Sequence, residues 1–350
     1  MGLPNIVVEF TTKANTAITR SERGIVCLVV NDATKTDTLY TYRSITEVVA
    51  EDWTTDNLQA IKDAFHDGPT RVYVVRLAED GTFADAEATL DALKINWLAF
   101  IGEGQDAVAE YVKTRNAKKG AAPVKAVVTG VAADDIHVVN FSNTAVKRTS
   151  ADADTAAYLY LGRIAGLLAA LSLEKTATYY IFDDLQSVTD VEDADTAVES
   201  GQFVLFNDYG TVRVARAVNS ATKVDKEDMK KIAIVEGMDL MREDIMTTFK
   251  EQYVGQYKNN ADNQAVFVAA VNGYFRTLGM NGVLNPDHAN LAEIDVEAHR
   301  AALVAAGNVE ALDWDDAVVK NNPHRSYVYV KANVQFSDGI EDLDFTIYMN

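Results

Sequence analysis

The sequence has almost no cysteine and no long apolar run, and each shortage excludes a class of protein. Its one cysteine, Cys27, cannot form an internal disulfide framework, and its place in the apolar run Ile25–Val30 predicts a small buried side chain. No apolar stretch approaches the roughly 20 residues that a membrane-spanning helix needs. The N-terminus also lacks the basic region and apolar core of a signal peptide, which predicts synthesis in the cytoplasm.

Basic residues are scarce relative to acidic ones. Lys and Arg number 32 against 52 Asp and Glu, which gives a net charge of −20. A protein that binds nucleic acid or an anionic membrane needs a basic face, so we expect neither partner and no membrane insertion. The same charge makes free copies of the chain repel one another. An assembly of such copies would need directional contacts, such as backbone pairing.

Motifs of catalysis and metal binding are also missing. The sequence has no P-loop and no Gly-x-Ser-x-Gly elbow, and its five histidines form no i, i+4 zinc pair. We therefore predict a protein that is not an enzyme and has no cofactor. One alternative stays open, a cytoplasmic α/β enzyme with a small-molecule site near Gly102–Gln105, a loop that follows a predicted strand and begins a helix. This loop lacks the third glycine of a dinucleotide fingerprint, and Glu103 would repel phosphate.

The first half of the 350 residues alternates predicted strands with predicted helices. Helical spacing of apolar residues occurs around Leu58–Phe65, Phe83–Leu93 and Ala107–Val112. Between these stretches lie β-rich apolar runs, as expected of strands covered on both faces: Ile25–Val30, Arg71–Arg76, Trp97–Ile101, Val124–Thr129 and Ile136–Phe141. This alternation is typical of βαβ units, so the predicted fold class is α/β (α+β overall), with a mostly parallel sheet and flanking helices.

The second half is richer in predicted helices. Asp152–Leu173 reads as an apolar helix, Ala177–Phe182 as a strand, and Asn207–Gly210 as the loop of a β-hairpin. The longest helix is predicted to begin at Asp225 and, if unbroken to Lys258, to measure roughly 50 Å. With a second helix over Asp262–Leu278 it would form an antiparallel helical hairpin packed on the sheet.

The last 25 residues contain two alternating segments. Ser326–Phe336 places valines on one face and polar or tyrosine side chains on the other, which is typical of a half-buried strand. Ser337-Asp338-Gly339 predicts a turn, and Glu341–Met349 alternates again. Two interpretations follow. The segments form a hairpin within one chain, or the last segment pairs with another copy of the protein.

Both ends of the chain resemble contractile tail sheath proteins of phages, prophages and phage-tail-like bacteriocins, in the form found in Gram-positive bacteria. At the start the resemblance lies in Gly2-Leu-Pro-Asn-Ile6 and Thr16–Ile25, and at the end in Tyr327-Val-Tyr-Val330 and Glu341–Ile347. The chain length and the order of βαβ units, long helices and terminal strands fit the same family. The large outward-facing insertions of bigger phage sheaths are absent from the sequence.

The resemblance implies terminal arms that are exchanged between neighbouring subunits. It divides the chain into an N-terminal extended arm (1–23), an α/β sheet region (24–150), a helix-rich continuation (151–325) and terminal strands with a C-terminal exchange arm (326–350). Each arm would complete a small terminal sheet in a neighbour by strand addition. The expected residues are Ile6, Val8 and Phe10 in the N-arm, Leu343, Phe345, Ile347 and Tyr348 in the C-arm, and Tyr327, Tyr329, Val330 and Val334 in the acceptor strand.

The resemblance also implies a mechanical function. Subunits would polymerise helically around a tail tube, held extended and metastable by the tube and the baseplate, and would contract to drive the tube through a target envelope. The expected partners are other sheath subunits, the tail tube protein, and baseplate and tail terminator proteins. Lys320 and Arg325 are the expected tube contacts. Assembly would occur in the cytoplasm, and the protein would then be part of the released tail or tail-like particle.

Overall fold

The structure, a computed structural model, describes residues 17–349, and its contacts divide the chain into two units. The first unit comprises Ser21–Glu243 together with the C-terminal segment from Phe336. The second comprises Asp244–Gln335 and the N-terminal segment up to Arg20. The predicted domain boundaries at residues 150 and 325 fall inside these units. The predicted N-arm residues Ile6, Val8 and Phe10 lie outside the described residues.

The strands and helices have the following bounds. The strands are β1 (Ile25–Asn31), β2 (Leu39–Tyr42), β3 (Arg71–Leu77), β4 (Trp97–Ile101), β5 (Lys125–Thr129), β6 (Val138–Phe141), β7 (Ala145–Arg148), β8 (Asp154–Ala156), β9 (Ile181–Phe182), β10 (Leu185–Val188), β11 (Gln202–Phe203), β12 (Leu205–Asp208), β13 (Thr211–Val214), β14 (Leu291–Ile294) and β15 (Val330–Asn333). The α-helices are α1 (Thr55–Phe65), α2 (Glu87–Ala92), α3 (Gln105–Ala117), α4 (Leu161–Ala170), α5 (Ala194–Glu199), α6 (Ile232–Thr248), α7 (Ala261–Met280), α8 (Val296–Ala305) and α9 (Asp316–Lys320).

A seven-stranded sheet in the order β11-β6-β5-β4-β1-β3-β2 forms the centre of the first unit. Its strands pair in parallel except for β2, which is antiparallel to β3. This confirms the predicted mostly parallel sheet. Strand β1 is buried on both faces: Val26, Leu28 and Val30 join the core with α1 and α4, whereas Ile25, Cys27 and Val29 join the core with α2 and α3. Burial also raises the pKa of the Cys27 thiol, so the side chain is a neutral core residue.

Helix α4 is shorter than the predicted helix over Asp152–Leu173. Residues Asp154–Ala156 form β8, which pairs with β7, and Ala157–Tyr160 form a 3-10 turn, so the α-helix begins only at Leu161. The predicted strand Ala177–Phe182 is likewise reduced to β9, because Tyr179 adopts a left-handed conformation with φ of 60°. The predicted hairpin loop Asn207–Gly210 is confirmed: Tyr209 and Gly210 both have positive φ and join β12 to β13.

The helix predicted to begin at Asp225 begins at Ile232 instead. The Asn219 backbone N–H donates to the carbonyl of Lys230 at 2.9 Å, and its side-chain amide donates to the carbonyl of Met229 at 2.8 Å. Lys231 then has an extended backbone with φ of −84° and ψ of 127°, so the 3-10 turn over Glu227–Lys230 does not continue directly into α6. Helix α6 has 17 residues and ends in a π-helical turn over Phe249–Tyr253, so its length is about 26 Å and not 50 Å.

The second unit contains the end of α6 packed antiparallel to α7. Asp244 accepts a hydrogen bond from the Tyr274 hydroxyl at 2.6 Å, and the rings of Phe249 and Phe267 lie 5.0 Å apart. Asn260 caps α7 by accepting a hydrogen bond from the Asn263 backbone at 2.8 Å. The predicted antiparallel pairing of these two helices is thus present. A two-stranded antiparallel sheet of β14 and β15 completes the unit.

Candidate assembly surfaces

The C-terminal segment is anchored to the first unit by a short acidic stretch. The Glu341 side chain is 6% exposed, accepts a hydrogen bond from the Thr178 hydroxyl at 2.6 Å, and lies 3.6 Å from Arg216. Asp342 accepts a hydrogen bond from Arg216 at 2.6 Å, and Asp338 forms an ion pair with Lys231. Burial lowers the pKa of Lys231, but the Asp338 carboxylate outweighs this effect and raises that pKa. The hydrogen bond to Asp342 raises the pKa of Arg216, again against the effect of burial. The segment is therefore tied down as far as Asp342.

Beyond Asp342 the segment is exposed. Leu343 is 87% exposed and Phe345 is 72% exposed, and the other predicted C-arm residues, Ile347 and Tyr348, are similarly open. Residues 343–349 form no strand, while the preceding alternating segment pairs with β14 through β15. The hairpin between the two C-terminal segments, one of the two interpretations of the sequence, is therefore not formed. What is present is an exposed segment with alternating apolar side chains, which is a surface that strand pairing would cover.

The β14–β15 sheet has one occupied edge. The side-chain amide of Asn272, on α7, donates to the carbonyl of Ala292 at 3.0 Å, and its oxygen accepts from the Ala292 N–H at 2.7 Å. This pair of hydrogen bonds imitates a neighbouring strand at the centre of β14. An incoming strand would have to displace Asn272 to pair with that edge.

The other edge of the sheet, along β15, is open among the described residues. The Asp295 N–H donates to the Tyr329 carbonyl at 2.9 Å, and Gln335 bonds through both backbone groups to Asn285 and Asn290. Backbone direction alternates along a strand, so the backbone groups of Val330, Ala332 and Val334 point away from β14. No described strand pairs with these groups. The predicted acceptor residues Val330 and Val334 therefore lie at an open edge.

The strand predicted over Ser326–Phe336 is shorter at its start because a side chain holds the preceding loop. The Asn259 side-chain amide donates to the carbonyls of Arg325 and Tyr327, both at 3.0 Å. Tyr327 and Tyr329, the other two predicted acceptor residues, lie just before β15. Their rings are 6.2 Å apart and stack with His324, whose Nδ1 lies 3.0 Å from the Tyr329 hydroxyl.

A cavity of about 350 Å³, here called the aromatic cavity, adjoins the start of β15. Its apolar walls come from the end of α6, from α7 and from the loop before β15: Phe249, Tyr253, Val254, Tyr257, Phe267 and Val328. Arg325 and Lys258 contribute the positive charge of the lining. The sequence carries one signal for this cavity: Phe249, Tyr253 and Tyr257 recur at helical spacing.

The two predicted tube contacts lie at different places within the second unit. Lys320 is the last residue of α9 and is exposed, beside a shallow cavity between α7 and β14. Arg325 is also exposed, has a φ of 52°, and lines the aromatic cavity. The structure therefore gives the two cations different surroundings.

The loop Gly102–Gln105 is built as a tight turn. The Gln105 side-chain amide donates to the carbonyls of Phe100 at 2.9 Å and Gly102 at 2.7 Å, which closes the loop. A Cβ at Gly102 would lie 2.6 Å from the Phe100 ring, and Gly104 has a φ of 81°. Both glycines are thus explained by the turn itself.

The acidic pair Asp183-Asp184 lies near His66, with ligand atoms within 4.8 Å of one another. Asp184 already accepts hydrogen bonds from the Tyr160 hydroxyl at 2.8 Å and from Arg163 at 3.2 Å. Arg163 is fully buried and also pairs with Asp67. The role shown for Asp184 is to neutralise this buried guanidinium.

Comparison with known proteins finds similarity to phage tail sheath proteins. Residues 224–350, which include α6, α7, the β14–β15 sheet and the C-terminal segment, match the family model described as the phage tail sheath C-terminal domain. The chain is similar to contractile tail sheath proteins. It is 26% identical to the tail sheath protein of Clostridium phage phiCD119, in an alignment of 364 residues that covers 99% of each chain.

Two solved sheath structures share the fold. The crystal structure of the sheath tail protein from Desulfitobacterium hafniense matches with a TM-score of 0.67 and 14% identity, covering 83% of this chain and 94% of that one. The helical sheath of the anti-feeding prophage in its contracted state matches with a TM-score of 0.70 and 13% identity over the whole of both chains. The sheath resemblance stated from sequence is confirmed, and these relatives are structural proteins and not enzymes. Among the described residues, no helix is both long and apolar enough to cross a membrane.

Proposed function

We propose that this chain polymerises helically as a contractile tail sheath, in which each subunit donates its C-terminal segment to the open β15 edge of a neighbour. The observation that carries the proposal is that one chain has both halves of a strand contact. It has an exposed alternating segment after Asp342 and an open strand edge from Val330 to Val334. Backbone hydrogen bonds would supply affinity, and the alternation would set register. The full-length similarity to a phage tail sheath protein supports the same function.

The contact between subunits would be heterologous, because donor and acceptor are different surfaces. Such contacts do not close on themselves when the rotation between copies fails to form a ring, and they then propagate as an open helix. The N-terminal segment with Ile6, Val8 and Phe10 is a second proposed donor. The helix would surround a tail tube, with Lys320 and Arg325 facing it, and would end at baseplate and tail terminator proteins.

Contraction would draw on energy stored during assembly. The extended sheath would be metastable while the tube and baseplate hold it, and release at one end would let subunits repack and drive the tube through a target envelope. The chain needs no nucleotide for such a step. Assembly in the bacterial cytoplasm, before the particle is released, is part of the same proposal.

Removal of residues 343–350 tests the strand donation. This truncation keeps Glu341 and Asp342, which anchor the segment, so the subunit should fold but should not form striated sleeves in electron micrographs. A matched control, Leu343→Ile combined with Ile347→Leu, keeps the alternating apolar face and should still assemble. Ordered sleeves from the truncated chain would refute the proposed role of the C-terminal segment.

A further inference from the structure

The geometry points to the aromatic cavity as the pocket that sets the register of the donated strand, and we propose that it receives Phe345 from a second copy of the chain. This inference rests on the proposed function, because it assigns a specific side chain and a specific pocket to the strand donation. It adds an anchor to a contact otherwise made by backbone groups.

The position of the aromatic cavity is the first argument. Val328 lines the cavity and lies two residues before Val330, the first residue of β15. Val330 shares one face of the strand with Ala332, whose partner Ala292 on β14 is buried. A strand added to the open edge of β15 extends this face. Its apolar side chains would therefore lie over the same layer of α6 and α7 residues that walls the cavity.

The composition of the walls is the second argument. The Phe267 ring lies 5.0 Å from both Phe249 and Tyr253 in edge-to-face arrangements, which leaves the cavity lined by rings in fixed orientations. Aromatic pairs of this geometry gain more than their buried area alone provides. Val254 at the cavity is 58% exposed, so one wall is open to an entering group.

The mouth of the aromatic cavity is held in place before anything binds. Asn259 donates from its side chain to the carbonyls of Arg325 and Tyr327, and its oxygen accepts from Gln264 at 2.7 Å. These hydrogen bonds hold the Arg325 backbone in a left-handed conformation that residues other than glycine rarely adopt. A preformed pocket lowers the entropy lost when a partner binds.

Phe345 is the side chain that fits this pocket. Residues 343–349 place Leu343, Phe345, Ile347 and Met349 on one face, and Phe345 is the only ring among them. It lies near the middle of the free segment and is 72% exposed, whereas Tyr348 falls on the opposite face. Asp344, next to it, carries a charge opposite to those of Arg325 and Lys258 at the cavity, which favours a copy of this acidic chain as the occupant.

Disulfide trapping between two single-cysteine additions tests the pocket. The native Cys27 is fully buried, so an added cysteine supplies the reactive thiol. Phe345→Cys and Val254→Cys variants are mixed, assembled and mildly oxidised. We expect about tenfold more cross-linked dimer than for Leu343→Cys or Ile347→Cys with the same partner, because a disulfide requires Cβ atoms about 4 Å apart. Phe345→Cys with Tyr209→Cys, on the exposed hairpin turn, is the background control.

A substitution at the cavity gives an independent measurement. Val254→Asp changes an exposed wall residue, so the circular dichroism of the variant should match that of the unmodified chain. Its critical concentration for polymerisation should rise about tenfold, because the charged side chain weakens the contact between copies by about that factor. An unchanged critical concentration would refute the pocket.

The outcomes separate this inference from the proposed function. If sleeves form but Val254→Cys cross-links equally to all three arm positions, or to a Val8→Cys variant in place of Phe345→Cys, the pocket assignment is wrong and the sheath function stands. If the unmodified chain forms no polymer under any assembly condition, the proposed function fails as well.

Discussion

At the scale of single residues, two glycines determine how closely helices α1 and α4 pack. A Cβ placed on Gly166 would lie 2.2 Å from the Ala64 carbonyl oxygen, and one on Gly162 would lie 2.8 Å from the Ala60 carbonyl oxygen. Both neighbours are backbone atoms, which cannot turn aside as a flexible side chain can. The helices can therefore approach this closely only because these two positions have no side chain.

Replacing Gly166 by alanine should destabilise the first unit by about 2–3 kcal/mol, because α1 and α4 must separate and the core beneath them loses contacts. Gly273 offers a matched control inside α7, since a Cβ there meets nothing within 4 Å. Gly273→Ala should be neutral or stabilise the protein by about 0.5–1 kcal/mol through helix propensity. Thermal denaturation of both variants decides the point, and equal effects would contradict the close-packing account.

At the scale of elements, the first part of α6 is fixed by a buried network of opposite charges within the first unit. Lys125 lies 2.8 Å from Asp239 and 3.1 Å from Glu236, and Glu236 also accepts a hydrogen bond from the Trp97 indole at 2.8 Å. Lys125 is 4% exposed, so the helix carboxylates are what makes its burial tolerable. His137 joins the network at 3.1 Å from Asp239.

This network predicts a pH-dependent stability. Burial opposes the charged form of His137, but hydrogen bonds to Asp135 and Asp239 outweigh it and raise its pKa to about 9. Because the pKa is higher in the folded state, the stabilisation is complete below the unfolded value of about 6.5 and is lost as pH rises through 9. The unfolding free energy should fall by on the order of 2–3 kcal/mol across that window.

Denaturation curves between pH 6 and pH 10 measure this loss. His137→Gln retains a hydrogen-bonding side chain but cannot titrate, so its stability should be lower at pH 6 and nearly level across the window. A His137→Gln variant with the same pH dependence as the unmodified chain would assign the titration to another group.

The loop between α9 and β15 supports a prediction about the tube. Lys320→Glu should weaken co-sedimentation with the cognate tube protein and leave sheath-only polymers unchanged, since Lys320 does not line the aromatic cavity. Arg325→Glu should weaken both assemblies, because Arg325 lines the cavity. Identical behaviour of the two variants would mean that they serve one surface. Normal tube binding by both would remove the proposed tube contact.

At the scale of the whole molecule, the sequence predicted the elements better than the surfaces between them. The strands of the parallel sheet were predictable because their runs are buried on both faces and read as continuous β-rich stretches, as in Ile25–Val30. The start of α6 was not, because the turn before it is held by Asn219, which donates hydrogen bonds to the carbonyls of Met229, ten residues later, and Lys230.

Of the candidate assembly surfaces, the sequence predicted the alternating segments but not the contacts that hold them in place. Alternation predicted a strand where β15 forms. It also placed Leu343 and Phe345 on one apolar face of the C-arm; both side chains are exposed, and their shared role stays a prediction. It could not show that Glu341 is anchored by a threonine 163 residues earlier, or that Asn272 occupies the edge of β14. Such contacts join side chains that are distant in sequence and have no periodic signature.

The anchor at Glu341 and Asp342 also makes residues 343–349 a short tether. From Leu343 to Met349 there are seven residues, which span at most about 25 Å when fully extended. A neighbour that holds this segment must keep its β15 edge within that reach of Arg216 for as long as the two subunits stay joined. Neighbouring subunits in the proposed sheath could therefore change their relative orientation, but they could not separate by more than the length of this tether.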